Sequence, residues 1–108
     1  NEELSYDFPE YWGFGYRQFE KEYPQLLRQA KQILVVDGVG LTAPEIITTD
    51  LDNFLPLRYL KTFQNKIKVV SSNQQQVLKC YHCAEDTPNM LQEKYLESAS
   101  ELLQKLLI

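Results

Sequence analysis

An α+β fold with three N-terminal helices, a β-hairpin and a long C-terminal helix is what this sequence predicts, on three observations. From Tyr16 to Val36 apolar residues recur at three- and four-residue steps, the spacing of one helix face. After Lys66 the period falls to two, with β-branched and aromatic residues in "IKVVSS" and "QVLKCYH", as strands require. From Thr87 onward a leucine-rich stripe returns to helical spacing.

The 108 residues suit one domain, which on folding hides roughly 60–65% of the surface exposed by its unfolded chain. Hydrophobic residues make up 44% and charged residues 24%, ordinary usage for a soluble protein. No apolar run approaches the roughly 18–20 residues that cross a bilayer. Residues Asn1 to Trp12 hold four acids, no basic residue and no apolar core of a leader, so an intracellular, cytoplasmic protein away from membranes is expected. Two cysteines are too few for the disulfide framework of a small secreted domain.

Residues 1–15 read as an aromatic arm. "YDFPEYWGFGY" packs six aromatics into eleven residues, broken by Pro9, Gly13 and Gly15, so it lies on the protein body or on a partner. Stacking on nucleic-acid bases would want interleaved cations, and Asp7 and Glu10 stand there instead. The body spans residues 16–86. Its first helix runs through Phe19, Tyr23, Leu26, Leu27, Ala30, Ile33 and Leu34, with Pro24 opening or kinking it and Asp37-Gly38 as its stop. Thr42 and Glu45 have capping-box spacing with Pro44 in the first turn, which predicts a short helix over Ala43 to Thr48. A second helix follows through Phe54, Leu57, Leu60 and Phe63, capped by Asp50, Asp52 or Asn53, with Pro56 in its first turn. Next comes the hairpin, with "SNQQ" as its tip. Residues 87–108 form the final helix, on which Leu91, Tyr95, Ala99, Leu102 and Leu106 make one stripe. Leu96, Leu103, Leu107 and Ile108 then point sideways, and pairing two copies about a two-fold axis would bury them in a homodimer.

The cysteines and the sole histidine sit together as Cys80, His82 and Cys83. A structural zinc site needs four ligands, and strand alternation would place Cys83 opposite the other two. A thioredoxin-like dithiol needs a helix N-terminus to lower its thiol pKa. The expectation is no metal, no cofactor and at least one cysteine serving as a small buried side chain. No catalytic constellation stands out. Asp37, Asp50 and Asp52 fall where helix caps are expected, "DGVG" is too short for a phosphate loop, and the histidine has no nucleophile beside it in sequence. The chain reads as a non-enzyme.

Charge is uneven. The net value is −4, yet Asn53 to Ala84 carries Arg58, Lys61, Lys66, Lys68 and Lys79 and no acid, a candidate electrostatic footprint. Across "GLTAPEIITTDLDNFLPLRYLKTFQNKIKVVSSNQQQVLKCYHC" the element order resembles a winged helix-turn-helix domain. The resemblance covers residues 25–83 and implies a DNA-binding transcriptional regulator. It would put Arg58, Lys61, Gln64 and Asn65 in the major groove, and Lys66, Lys68, Ser72, Asn73 and Gln74 against the backbone or minor groove. The sequence departs from that pattern in Pro56, early in the recognition helix, and in its net acidity. The alternative reading is a protein–protein interaction module that uses the aromatic arm and the apolar last helix.

Overall fold

The structure, a computed structural model, describes residues 12–81 and 83–108. Most of the aromatic arm, residues 1–11, and His82 lie outside the described residues. The elements are α1 (Phe14–Glu22), α2 (Pro24–Gln29), β1 (Ile33–Val36), β2 (Glu45–Ile47), α3 (Leu60–Phe63), β3 (Ile67–Ser71), α4 (Gln74–Cys80) and α5 (Glu93–Leu106). Single 3-10 turns cover Leu51–Asn53, Gln64–Lys66 and Pro88–Met90. The α+β class and the long C-terminal helix are as the sequence implied.

The strands are elsewhere. The single helix expected over residues 16–36 ends at Tyr23, restarts at Pro24 and gives way to β1. "ILVV" is four residues of continuous aliphatic chain, a pattern that fits a helix face and a covered strand equally. The expected helix over residues 43–48 is β2, the antiparallel partner of β3 in the register Glu45↔Ser71, Ile46↔Val70, Ile47↔Val69. Two successive isoleucines and two threonines are stiff at χ1 and favour the pleated surface, and a sheet partner outweighs the capping box. The sheet order is β1-β3-β2. Beyond β1, Asp37 N–H donates to the Val70 carbonyl and Ser72 N–H to the Gly38 carbonyl. Both bonds advance in the same direction along the two chains, the sense of parallel neighbours.

The hairpin is not formed. Its first strand is β3, the covered middle strand, and the segment expected as the second is α4. The Asn73 side chain accepts from the Gln75 and Gln76 amides, so the polar tip is a helix cap followed by three glutamines with good helical propensity. The expected second helix shrinks to α3. Pro56 offers no N–H and pushes the residue before it toward extended geometry, so Leu55 and Leu57 lie in an irregular segment, both buried.

The chain divides into two compact units, one of Asn1–Val35 with Thr48–Lys68 and one of Val36–Ile47 with Val69–Ile108. The first has Leu27, Leu51, Leu55, Leu57, Phe63 and Ile67 as its buried apolar residues. The second buries Val69, Val70, Cys80 and Ala99. Within it the loop after β1 is held from two sides. The Ser72 hydroxyl, fully buried, accepts from the Leu41 and Thr42 amides at 3.1 and 3.2 Å, and Thr42 Oγ1 accepts from the Asn73 amide at 2.8 Å. On the other side Gln92 N–H donates to the Gly40 carbonyl. Gly40 has φ +100°, and a Cβ there would come within 2.7 Å of Leu96 Cδ2, so that position needs glycine.

Candidate interaction surface

Helix α1 buries two charged side chains and leaves an aromatic one exposed. Its helical spacing puts Phe19 and Tyr23 on the face expected to be covered. Instead Arg17 and Glu20 are 9% and 5% exposed, whereas Phe19 and Tyr23, with Leu26 of α2, are 44%, 45% and 50% exposed. The Phe19 and Tyr23 rings lie 5.4 Å apart between centroids, tilted by 44°. Three large apolar side chains thus stand half in water at positions i, i+4 and i+7.

Two polar anchors hold this rotation. Glu20 takes one backbone amide on each carboxylate oxygen, Arg58 N–H to Oε1 at 2.8 Å and Tyr59 N–H to Oε2 at 2.9 Å. Tyr59 is the N-cap of α3, so Glu20 supplies acceptors for amides at a helix start, where a carboxylate is doubly favoured by hydrogen bonding and by the helix dipole. Arg17 donates from Nη1 to the Trp12 carbonyl. At the head of α1, Gly13 is the N-cap with φ +81°, and a methyl there would overlap the Pro56 ring. A buried charge is tolerated when its hydrogen bonds are complete, and no buried side-chain N or O among the described residues lacks a partner.

The same anchoring orders the segment after Pro56. Glu20 fixes the backbone of Arg58 and Tyr59, and both side chains are exposed. Lys66 Nζ donates to the carbonyls of Arg28 and Ala30 at 3.0 and 2.9 Å and lies 5.4 Å from the centre of the Phe63 ring. It therefore closes the C-terminal end of α2. Among the described residues of this unit, Lys21, Arg28, Lys31, Arg58 and Lys61 are exposed against the acids Glu22, Asp50 and Asp52.

The nine residues expected to contact nucleic acid separate into three sets. Arg58, Lys61, Gln64 and Asn65 are exposed, on and around α3. This helix has four residues, a length of about 6 Å at 1.5 Å per residue. Lys68 is half-buried on β3. The others have internal work: Lys66 caps α2, Ser72 holds the loop after β1, Asn73 caps α4, and Gln74 Nε2 donates to Ser71 Oγ and to the Ser72 carbonyl. Of the four residues expected in a dimer contact, Leu96, Leu107 and Ile108 are exposed and Leu103 is half-buried. Leu96 also packs over Gly40 beside Leu91.

Among the described residues no group of three or more His, Cys, Asp or Glu side chains gathers as a metal site, and no helix is long and apolar enough to cross a membrane. Comparison with known protein families, with curated proteins and with solved structures returns no match. The inversion of α1 is the feature that sequence reading missed. Its one local signal is Gly13 directly before the helix start at Phe14, with Arg17 and Glu20 three residues apart and so on one face.

Proposed function

We propose that the chain is a protein-interaction module and that the exposed face of α1 and α2, Phe19, Tyr23 and Leu26, is its contact surface. The observation that carries this reading is the inversion of α1. Full burial of such a side chain contributes roughly 1.5–3 kcal/mol, and here the fold forgoes much of that three times while satisfying two charges inside. A partner that covers the face recovers the loss. Aromatic residues and arginine dominate the energetic centres of protein interfaces, and Tyr59 and Arg58 are both exposed where Glu20 holds their backbone. The exposed cations of this unit favour a partner segment that mixes apolar with acidic side chains.

Selection from a displayed random-peptide library is the direct test. Enriched peptides are expected to combine aromatic or aliphatic residues with acids, and to lose at least about tenfold in affinity for Tyr23→Ser, within the range of an interface hot spot. The stability of that variant should change by less than about 0.5 kcal/mol, as for an ordinary surface position. Peptides that bind Tyr23→Ser undiminished would remove this face from the reading. Titration with random duplex DNA at two salt concentrations tests the nucleic-acid reading in parallel. Tight binding that weakens with salt at a log-log slope of about −0.9 per phosphate would establish that reading in place of the module. In that case Arg58→Ala should blur sequence preference and Lys68→Ala should weaken all sequences alike.

A second contact is proposed at the end of α5, where Leu107 and Ile108 are exposed beside the half-buried Leu103. Pairing of two copies there predicts a homodimer at micromolar concentration that Leu107→Glu converts to monomer, because a carboxylate would be forced into an apolar contact. Sedimentation of the unaltered protein as a monomer would remove this contact and leave the α1 face untouched.

A further inference from the structure

We propose that Cys80 and Cys83 are a closable dithiol at the exit of α4, which forms an intramolecular disulfide on reaction with a low-molecular-weight disulfide. These are the two cysteines of the chain, and both are free thiols. Sequence reading placed them on a strand, where alternation would send their side chains to opposite faces. The structure places Cys80 in the last position of α4 and Cys83 three residues on.

The spacing is suited to a bridge. Cys83 N–H donates to the Cys80 carbonyl at 3.1 Å. That bond holds the two residues' backbones together, and bridged cysteines are usually about 4.4–6.8 Å apart at Cα. Each sulfur donates to carbonyls of the chain that leads into it, Cys80 to carbonyls within α4 and Cys83 to the last carbonyls of the same helix. Cys80 Sγ sits 3.5 Å from the Val77 carbonyl oxygen and 3.8 Å from that of Gln76, and Cys83 Sγ 2.6 Å from that of Cys80 and 3.7 Å from that of Lys79.

Their unequal burial sets the order of reaction. Cys83 is the more accessible and Cys80 is buried. The Cys83 thiolate attacks one sulfur of the small disulfide and releases the other half as a thiolate, leaving a mixed disulfide. Cys80 then loses its proton and attacks the Cys83 sulfur, expelling the second half. Two protein S–H bonds are lost, one S–S bond is gained, and the small disulfide is reduced to two thiols.

The environment makes this a clamp and not an exchange catalyst. Partial burial and a hydrogen bond to the Glu85 carboxylate push the Cys83 thiol above its ordinary value, and the same bond holds Glu85 below its own. The carbonyl end of a helix acts in the same direction on a thiolate. Closure should therefore be slow near neutral pH and faster in alkali. A thiolate without stabilisation also leaves the closed bridge resistant to reduction, the opposite of the strongly oxidising dithiols. Closing the ring would tie Cys83 to the last residue of α4.

The test is intact-mass analysis of the full chain incubated with oxidised glutathione at alkaline pH. The expected end product has lost two hydrogens, carries no glutathione, does not react with iodoacetamide and returns to the starting mass with a strong reductant. A monothiol control, Cys80→Ser, is expected to stop at one stable glutathione adduct. Two stable glutathione adducts on the unaltered chain, or covalent dimers in place of the closed ring, would overturn the proposal.

Discussion

Replacing Glu20 with alanine is expected to destabilise the protein by about 3 kcal/mol, because two buried-side backbone amides lose their acceptors at once and each such loss costs roughly 1–3 kcal/mol. The amides are those of Arg58 and Tyr59, and each carboxylate oxygen serves one of them. Urea denaturation measures the loss directly, as a lower midpoint at unchanged slope. Glu20→Gln keeps one carbonyl oxygen and replaces the other with a donor, so it should retain part of the stability. A neutral result for Glu20→Ala would mean that the rotation of α1 is set elsewhere. The contrast with Tyr23→Ser makes the experiment sharp. Hydrophobic periodicity makes the tyrosine the costly position and the glutamate the harmless one, and the structure reverses the two.

Gly13→Ala is expected to cost more, on the order of 2–5 kcal/mol. Holding a non-glycine residue in the left-handed region costs roughly 1–2 kcal/mol, and forcing a methyl into filled space typically adds about 1–3. Gly13 has φ +81°, and the obstructing atoms belong to the Pro56 ring, which cannot turn aside as a flexible side chain would. Each kcal/mol corresponds to about 4–8 °C in melting temperature for a domain near this size, so thermal unfolding should show a large drop. Gly40→Ala supplies the comparison. Its positive φ imposes similar strain, but the nearest atom is the end of the Leu96 side chain, which can move. The loss there should be smaller. Equal losses at the two glycines would show that backbone conformation alone decides both, with no part played by Pro56.

Much of the chain was legible from its residues, for local reasons. The composition and the alternation in "IKVVSS" placed β3, and Ala99 with Tyr95, Leu102 and Leu106 marked the inward stripe of α5, of which Ala99 is buried and the others half-buried. Leu91, the first residue expected in that stripe, precedes the helix and is exposed. A long helix repeats its signal over several turns, so one face emerges without help from the rest of the protein. The break at Pro24 was visible for the same kind of reason, since proline acts on its own neighbours. The candidate surface was legible only as composition: Phe19, Tyr23 and Leu26 stood out as apolar residues at helical spacing, but that spacing assigned them inward.

Three outcomes needed the tertiary structure. "ILVV" and "EII" are strands because β3 lies between them to accept their hydrogen bonds, and a segment of three or four residues carries too little intrinsic preference to resist such a partner. "QQQVLKC" has a local cap and good helical propensity, but where that helix begins is fixed by the loop that follows β1, about thirty residues away in the chain, which engages the Ser72 hydroxyl and the Asn73 amide. The face that α1 turns to water was decided last, by the amides of Arg58 and Tyr59 and by the Pro56 ring against Gly13. Periodicity ranks residues by their hydrophobicity alone; burial here followed the stronger cost of leaving backbone amides without acceptors, and that cost exists only once the segment after Pro56 has been folded against the helix.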